Sequence, residues 1–285
     1  MKNVLVTGGD GQLALCIKDA GSQYSDLNFV FANADKLDIT NQIEVSDYFK
    51  KHTVDYCINC AAYTAVDKAE SEPELAKQVN EVGVKNLVES CEKHNVVFIH
   101  VSTDFVFDGS KSKPYTELDA PNPLGVYGET KLQSEKEAAK HSKHFIIRTS
   151  WLYSEYGNNF LKTMLRLGKE RDELSVVYDQ IGTPTYAGDL AEVILKIISN
   201  NNDKYGIYHY SNEGVASWYD FAKAIFDEAE ISISLHPIKT DQYPTPAERP
   251  SYSVMDKSKI KENIDIKIPY WRNSLRNVLK IIKNE

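Results

Sequence analysis

Tyr127 and Lys131 place a phenol and an ammonium group four residues apart. If Tyr127 begins a helix, this spacing puts Lys131 on the same face, one turn later. A phenol has an ordinary pKa of about 10, and a nearby ammonium group lowers that pKa. The pair therefore predicts proton transfer to or from a carbonyl oxygen near neutral pH, although an amphipathic helix with a surface tyrosine and lysine has the same spacing.

A second group of polar residues, Ser102, Thr103 and Asp104, follows the apolar run at 96–99. An apolar run of this kind predicts a buried strand, so the hydroxyl groups would lie at the carboxyl end of that strand. We expect a hydroxyl group there to face the tyrosine and lysine.

Near the amino terminus, Gly8, Gly11 and Ala14 form the pattern G-x-x-G-x-x-A between a short apolar strand and a helix that continues to about Gly21. A glycine turn at the start of a helix directs backbone N–H groups and the positive end of the helix dipole at a pyrophosphate. A plain strand–turn–helix without a ligand is the alternative.

The second predicted strand, 28–32, has no acidic residue at its end to bind an adenine ribose, and no arginine to bind a 2′-phosphate. Asp35 and Lys36 favour opposite cofactors, so the choice between NAD and NADP stays open. Asp38 or Thr40 is expected to cap a helix over 41–51, and Asp38 is also a candidate for the adenine pocket.

Strands and helices alternate through the first 150 residues, which predicts an α/β fold: a Rossmann-like, doubly wound parallel sheet with ligands at the carboxyl ends of its strands. All the candidate residues lie at that edge. We expect a dinucleotide-binding domain over 1–150, to which 185–212 returns, and a smaller substrate-binding lobe over 151–285. The predicted strands are 2–6, 28–32, 54–62, 96–102 and 145–149, and the predicted helices include 72–94 and 126–141.

The net charge of −8 and the pI of about 5.5 argue against nucleic-acid binding. Apolar runs are too short to span a bilayer, and the first residues form a strand rather than a signal peptide, so we expect a cytoplasmic protein. Cys57 and Cys60 lie within an apolar run without paired ligands elsewhere, which indicates reduced core cysteines and no metal site.

Taken together, the motifs resemble those of the dTDP-4-dehydrorhamnose reductases, which are extended short-chain dehydrogenases/reductases. The resemblance covers nearly the whole chain and includes T-G-x-x-G-Q-L at 7–13, N-x-A-A-Y-T at 59–64, V-S-T-D-F-V-F-D-G at 101–109, P-x-x-x-Y-G-x-x-K at 123–131, R-T-S-W-L-Y at 148–153 and G-x-P-T at 182–185.

The resemblance implies that NADPH, or alternatively NADH, reduces C4 of a dTDP-4-keto-6-deoxy sugar to give dTDP-L-rhamnose, the last step of its biosynthesis. Tyr127 would deliver a proton to the oxygen, and Thr103 would donate a hydrogen bond to the carbonyl oxygen. Lys131 would lower the pKa of Tyr127 and bind the nicotinamide ribose.

The same resemblance implies the binding residues. Gly8, Gly11, Gln12 and Leu13 would bind the pyrophosphate, and Asp38 and Ile39 the adenine. The ribose and nicotinamide side would be lined by Ala61, Ala62 and Tyr63, whereas the sugar would contact Trp151 and Asp104.

Two of the substrate-binding residues carry alternatives from their chemistry. Arg249 is a candidate for the nucleotide diphosphate because arginine matches phosphate geometry, but a surface salt bridge is the alternative. For Trp151 the alternative is a core aromatic residue.

Departures from the family pattern leave further alternatives. Phe105 stands where many members have tyrosine, and 15–17 offers no carboxylate for the magnesium-bridged dimer of some members, so the chain could be a monomer or a homodimer. Thr103 is not followed by the Asp-Glu pair of related dehydratases. Reduction of another dTDP-4-keto-6-deoxy sugar, or a non-catalytic NADP-binding regulatory subunit, stays open.

Overall fold

A computed structural model describes residues 1–284, and its centre is a six-stranded parallel sheet. Among these residues the strands β1–β12 are Lys2–Thr7, Leu27–Ala32, Tyr56–Asn59, Val97–Thr103, His144–Thr149, Leu152–Tyr153, Glu173–Val177, Ile181–Gly182, Thr185–Tyr186, Gly206–His209, Ala216–Ser217 and Ser234–Ile238. The order in the sheet is β2-β1-β3-β4-β5-β10. The order of the strands therefore reverses between β1 and β3, where doubly wound sheets bind ligands, and the predicted fold class is confirmed.

The α-helices α1–α11 are Gln12–Gly21, Gln42–Lys51, Val66–Ala69, Pro73–Lys77, Gly83–Lys93, Val126–Ala138, Phe160–Glu170, Ala187–Ser199, Trp218–Ala229, Ser258–Ile264 and Trp271–Asn284. The single helix predicted over 72–94 is wrong in one respect, because a π-helical turn at Gln78–Val82 separates α4 from α5. No helix within residues 1–284 is both long and apolar enough to cross a membrane.

Side chains on the two faces of the sheet enter two different layers. Val6, Ile99 and Ile147 pack with α1 and α8, whereas Phe98 and Ile146 pack with α2 and α5. Successive residues of a strand point to opposite faces, so burial on both faces produces the continuous apolar runs seen in the sequence. Packing against these two layers holds the strands in place. The loops at the carboxyl edge of the sheet lie outside the layers and can form a site.

The last third of the chain contributes to both parts of the molecule. β10 pairs with β5, and α8 packs against α1, whereas α7, α9 and α11 surround a separate apolar cluster. The boundary at residue 150 stays a prediction.

Helix caps differ in part from the expectation. Asn41 caps α2, and its side chain accepts hydrogen bonds from the amides of Ile43 and Glu44, each at 3.2 Å. Asp38 accepts instead from the amide and hydroxyl of Thr40, so the predicted cap at Asp38 or Thr40 is wrong.

A buried ion pair joins α6 to β5. Arg148 and Glu135 are 2% and 3% exposed, and the guanidinium group donates two hydrogen bonds to the carboxylate, at 2.7 and 2.9 Å. Ser102 on β4 donates a third hydrogen bond at 2.6 Å. The carboxylate therefore ties α6 to two neighbouring strands.

We expect Arg148→Met to lower the free energy of unfolding by about 3–5 kcal/mol, because the substitution leaves the Glu135 carboxylate buried without its charge partner. Arg166→Met is the control, since Arg166 pairs with Glu170 at the exposed surface and should cost less than about 1 kcal/mol. Urea denaturation measures both values, and equal losses would contradict the prediction.

Candidate active site

A cavity of about 720 Å³ opens at the carboxyl edge of the sheet. It brings together residues that are far apart in the sequence, including fourteen of the fifteen predicted site residues: Gly8, Gly11, Gln12, Leu13, Asp38, Ile39, Ala61, Ala62, Thr103, Asp104, Tyr127, Lys131, Trp151 and Arg249. The cavity therefore combines the predicted cofactor and substrate residues in one continuous space.

Tyr63 is the predicted residue that does not line the cavity. Its hydroxyl donates to Glu72 at 2.7 Å, and its backbone amide donates to the Asn80 side chain at 2.8 Å. Asn80 lies in the π-helical turn and also donates to the Tyr63 carbonyl at 3.2 Å. Tyr63 is thus held by Asn80 and Glu72 outside the lining of the cavity, contrary to the expected placement, and a role for it in cofactor binding stays a prediction.

The pyrophosphate end of the cavity is shaped by Gly8. Its φ is +64°, and a Cβ atom there would lie 2.7 Å from the Ala61 amide nitrogen, so only glycine fits between β1 and β3. Gly11 caps α1 without a side-chain hydrogen bond. The first N–H groups of α1 are therefore available to an anion, as a dinucleotide requires.

The adenine end contains Asp10, Asn33 and Ala34 in addition to the predicted Asp38 and Ile39. Asn33 donates a hydrogen bond to Asp10 at 2.7 Å. The sequence reasoning missed Asp10, which occupies a variable position of the glycine pattern, and Asn33, which directly follows β2.

Tyr127 lies in the first turn of α6, directly over the end of β4. A Cβ atom on Gly128 would lie 2.3 Å from the Phe105 carbonyl oxygen, so glycine allows α6 to approach this segment closely. The rings of Phe105 and Tyr127 meet edge to face, with centroids 5.6 Å apart. The close approach brings the phenol next to Thr103, whose hydroxyl is the last polar group of β4.

The titration of the Tyr–Lys pair differs from the expectation. Burial raises the pKa of Tyr127 to about 12, and hydrogen bonding between the phenol and the Thr103 side chain opposes this increase. The Lys131 ammonium group donates to the Val101 carbonyl at 2.8 Å, and burial lowers its pKa to about 8. The pKa of Tyr127 therefore moves up, opposite to the expected direction, because burial outweighs the other influences, and the phenol is protonated at neutral pH. That the Lys131 ammonium group lowers this pKa stays a prediction.

A chain of buried hydrogen bonds that the sequence did not indicate supports Lys131. Thr7 donates to Asn59 at 2.6 Å, and the Asn59 amide contacts Nδ1 of His100 at 3.1 Å. Nε2 of His100 contacts Ser134 at 2.8 Å, and Ser134 donates to the Lys131 carbonyl at 2.6 Å. Burial holds the pKa of His100 well below its usual range, so this network contains a neutral imidazole.

Two stacked indoles form one wall of the cavity. The rings of Trp151 and Trp218 lie 3.6 Å apart with an angle of 7° between their planes. Trp151 has a φ of +47°, and its ring occupies the space that a side chain on Gly182 would need. Both indoles line the cavity, and Trp218 is a residue that the sequence reasoning missed, although an aromatic residue beside the Ser217 cap was a visible signal.

Arg249 lines the cavity and also forms a salt bridge. Its guanidinium group donates to both carboxylate oxygens of Asp67, at 2.8 and 3.0 Å, and to the Thr245 hydroxyl at 2.6 Å. Arg249 thus forms the salt bridge of one hypothesis and lines the cavity as the other, diphosphate binding, requires.

Asp104 is buried in the cavity wall, with 1% of its surface exposed. One carboxylate oxygen accepts from Thr103 at 3.1 Å, whereas Oδ2 has no hydrogen-bond partner among residues 1–284. Burial raises the pKa of Asp104 to about 6. Hydrogen bonds from the side chains of Ser253 and Thr103 oppose this increase.

Comparison with known proteins identifies close relatives. The family model described as RmlD substrate binding domain matches residues 1–284. The dTDP-4-dehydrorhamnose reductase of Aggregatibacter actinomycetemcomitans is 46% identical, with 98% of each chain covered.

Solved structures agree with the sequence relatives. The dTDP-4-dehydrorhamnose reductase from Clostridium acetobutylicum superimposes with a TM-score of 0.94, at 40% identity, and covers 99% of both chains. The Bacillus anthracis dTDP-4-dehydrorhamnose reductase in complex with NADP gives the same TM-score at 39% identity, over 99% of this chain and 100% of that one.

We expect Asp104→Asn to raise the free energy of unfolding at pH 7 by up to about 3 kcal/mol, because the raised pKa of Asp104 makes its ionised form destabilising and each pKa unit corresponds to about 1.36 kcal/mol. The folded protein binds this proton more tightly than the unfolded chain does. The gain should therefore be complete above about pH 6 and disappear below pH 3.8, the ordinary pKa.

Asp108→Asn is the matched control for this experiment. Hydrogen bonds, first from the Ser110 amide, hold the pKa of Asp108 well below its usual range, so its substitution should lower stability at pH 7. Urea denaturation between about pH 3 and pH 7 gives both values. A loss of stability in Asp104→Asn at pH 7 would contradict the prediction.

Proposed function

This chain belongs to the dTDP-4-dehydrorhamnose reductase family. From this premise, we propose a role for each of the cavity residues. The chain catalyses the NADPH-dependent reduction of dTDP-4-dehydro-L-rhamnose to dTDP-L-rhamnose, the last step of dTDP-rhamnose biosynthesis. One observation supports the roles of individual residues: Thr103, Tyr127 and Lys131 meet in the same cavity as the glycine turn at Gly8.

The residues at the carboxyl edge fit a dinucleotide. The glycine at position 8 leaves room for a close ligand, and the uncapped start of α1 offers N–H groups to a pyrophosphate. Asp38 and Ile39 would hold the adenine, whereas Ala61 and Ala62 would line the ribose and nicotinamide side. NADPH supplies the hydride that C4 of the sugar receives.

Tyr127 delivers the proton that completes the reduction. Its phenol is neutral at physiological pH because burial raises its pKa to about 12, so the acid is in the form that a reduction requires. As C4 gains a hydride, its oxygen becomes negative and takes the phenol proton. Thr103 donates a hydrogen bond to the same oxygen and stabilises the developing charge.

Lys131 keeps a positive charge next to this proton transfer. The side chain is 2% exposed, and its hydrogen bond to Val101 and the support of its backbone by Ser134 fix its position. The ammonium group favours the phenolate that Tyr127 becomes and would bind the nicotinamide ribose hydroxyls. Its role depends on its positive charge, and burial makes the charged form less favourable because it lowers the pKa of Lys131.

The other end of the cavity would hold the dTDP-sugar. We propose that Trp151 and Trp218 pack against the apolar side of the sugar, that Asp104 accepts from a hydroxyl group and that Arg249 binds the diphosphate. The enzyme would work in the cytoplasm, where NADPH and nucleotide sugars are available, as a monomer or a homodimer and without nucleic acid.

The reaction itself is tested with purified protein, dTDP-4-dehydro-L-rhamnose and either NADPH or NADH. We expect oxidation of NADPH, with dTDP-L-rhamnose identified by NMR. We expect Tyr127→Phe to lower kcat by about 10²- to 10⁴-fold, because it removes only the acid. The Kd for NADPH should change little.

Tyr24→Phe is the control, since the Tyr24 hydroxyl contacts Glu192 at the exposed surface and is outside the cavity. Turnover that survives in Tyr127→Phe would show that another group delivers the proton.

We expect kcat/KM for NADPH to fall above about pH 8, because burial lowers the pKa of Lys131 to about 8 and the neutral amine no longer favours the phenolate. Lys131→Arg should remove this decline, at a lower overall rate, because a guanidinium group stays charged. Steady-state kinetics between pH 6 and pH 10 measure both profiles. The same decline in both proteins would mean that a different group titrates.

A further inference from the structure

Helix α6, which carries Tyr127 and Lys131, begins without a cap of its own. Gly125 precedes its first turn and has no side chain that could accept a hydrogen bond from the amides of that turn. The first N–H groups of an α-helix have no partner within the helix, and a side chain beside the helix start commonly accepts from one of them. Because Tyr127 lies in this turn, the pairing of these amides bears on the position of its phenol.

Glu70 supplies the missing acceptor from a distant part of the chain. The amide of Val126, the first residue of α6, donates to Oε1 of Glu70 at 2.8 Å. A Cβ atom on Gly125 would lie 2.5 Å from the same oxygen, so the absence of a side chain there lets the carboxylate reach the backbone. A negative charge at this end of a helix also interacts favourably with the helix dipole.

The carboxylate that caps α6 belongs to a segment that is itself held in place. Glu70 directly follows α3 and keeps helical backbone angles, and the preceding Ala69 is fully buried. Asp67, on the same side of this turn, accepts from the Arg249 guanidinium group and from the Ala247 amide, at 2.8 and 3.2 Å. The position of Glu70 is therefore fixed by the core and by a second chain segment.

Glu70 acts from outside the cavity, because it is not among the residues that line it. The first turn of α6 contacts β4's end at one point, where Gly128 lies against the Phe105 carbonyl, and Glu70 holds the same turn at its start. The phenol of Tyr127 is carried between these two contacts. Reaction rates depend steeply on such placement, since a shift of about 1 Å can cost about 10²-fold.

We propose that Glu70 is a positioning residue for the proton transfer: by accepting from the Val126 amide it fixes the first turn of α6, and with it the Tyr127 phenol. This inference rests on the proposed function, because it takes Tyr127 as the proton donor. Lys131 lies one turn later and has its own hydrogen bond to the Val101 carbonyl, so binding of NADPH should not depend on Glu70.

The first experiment compares Glu70→Ala with Glu70→Gln in the NADPH-dependent reaction. Alanine removes the acceptor, so we expect kcat to fall by about tenfold or more, whereas KM for dTDP-4-dehydro-L-rhamnose and the Kd for NADPH change little. Glutamine keeps an oxygen that can accept from the Val126 amide and should restore most of the loss. Calorimetric titration with NADPH counts the folded sites to which kcat refers.

Asn41→Ala is the matched control, because Asn41 caps α2, a helix without a catalytic residue, and is outside the lining of the cavity. Both alanine variants should lower the midpoint of urea denaturation, since each loses a helix cap. Only Glu70→Ala should lose kcat. An unchanged kcat in Glu70→Ala, an equal loss of kcat in Asn41→Ala, or no recovery in Glu70→Gln would each overturn the proposal. A loss of NADPH affinity in Glu70→Ala would also overturn it, because Glu70 would then act through the cofactor site.

The second experiment asks whether Glu70 acts through Tyr127. In Tyr127→Phe there is no phenol to position, so adding Glu70→Ala should lower the rate of NADPH oxidation by less than about twofold. Single-turnover measurements at saturating sugar nucleotide give this rate. The same loss of about tenfold in both backgrounds would overturn the proposal, since Glu70 would then serve another group.

The two experiments separate failure of the inference from failure of the proposed function. If the original protein does not reduce dTDP-4-dehydro-L-rhamnose, or if Tyr127→Phe keeps its turnover, the proposed function or the role of Tyr127 is wrong and the inference falls with it. If the original protein is active, Tyr127→Phe is not, and Glu70→Ala matches the original protein, only the inference is wrong.

Discussion

The position of α6 against β4 and β5 is the constraint on which the site depends. This helix carries both Tyr127 and Lys131, and neither has a useful position unless the helix is fixed against the strand that ends at Thr103. Two buried polar connections fix it: the ion pair of Glu135 with Arg148, and the contacts of Ser134 with His100 and the Lys131 carbonyl. An apolar interface alone would allow the helix to slide, because hydrophobic contact is not directional.

Burial has opposite consequences for the three titratable groups of the site. It keeps Tyr127 protonated, which favours reduction, and it raises the pKa of Asp104, which destabilises the folded protein at neutral pH. For Lys131 it lowers the pKa to about 8, which brings the loss of the charge close to physiological pH. The same exclusion of water that strengthens hydrogen bonds to a developing oxyanion therefore lowers the stability of the protein without its ligands.

The sequence predicted what depends on local patterns. Continuous apolar runs indicated the parallel strands, and the spacing of Gly8 and Gly11 indicated the turn at the switch point. It did not predict that Tyr63 lies outside the lining of the cavity, because the Asn80 clamp on its backbone depends on a π-helical turn with no local signal. Trp218 was also missed, since its importance comes from a tertiary neighbour, the stacked indole of Trp151.

The aromatic wall is formed before any sugar arrives. A positive φ is unusual for a tryptophan and costs free energy, and here it is maintained by the stack on Trp218 and by the space above Gly182. Because this conformational cost is met on folding, the indole is not immobilised again on binding, which lowers the entropic cost of association. Recognition of a sugar would thus begin at an aromatic surface that folding has already shaped.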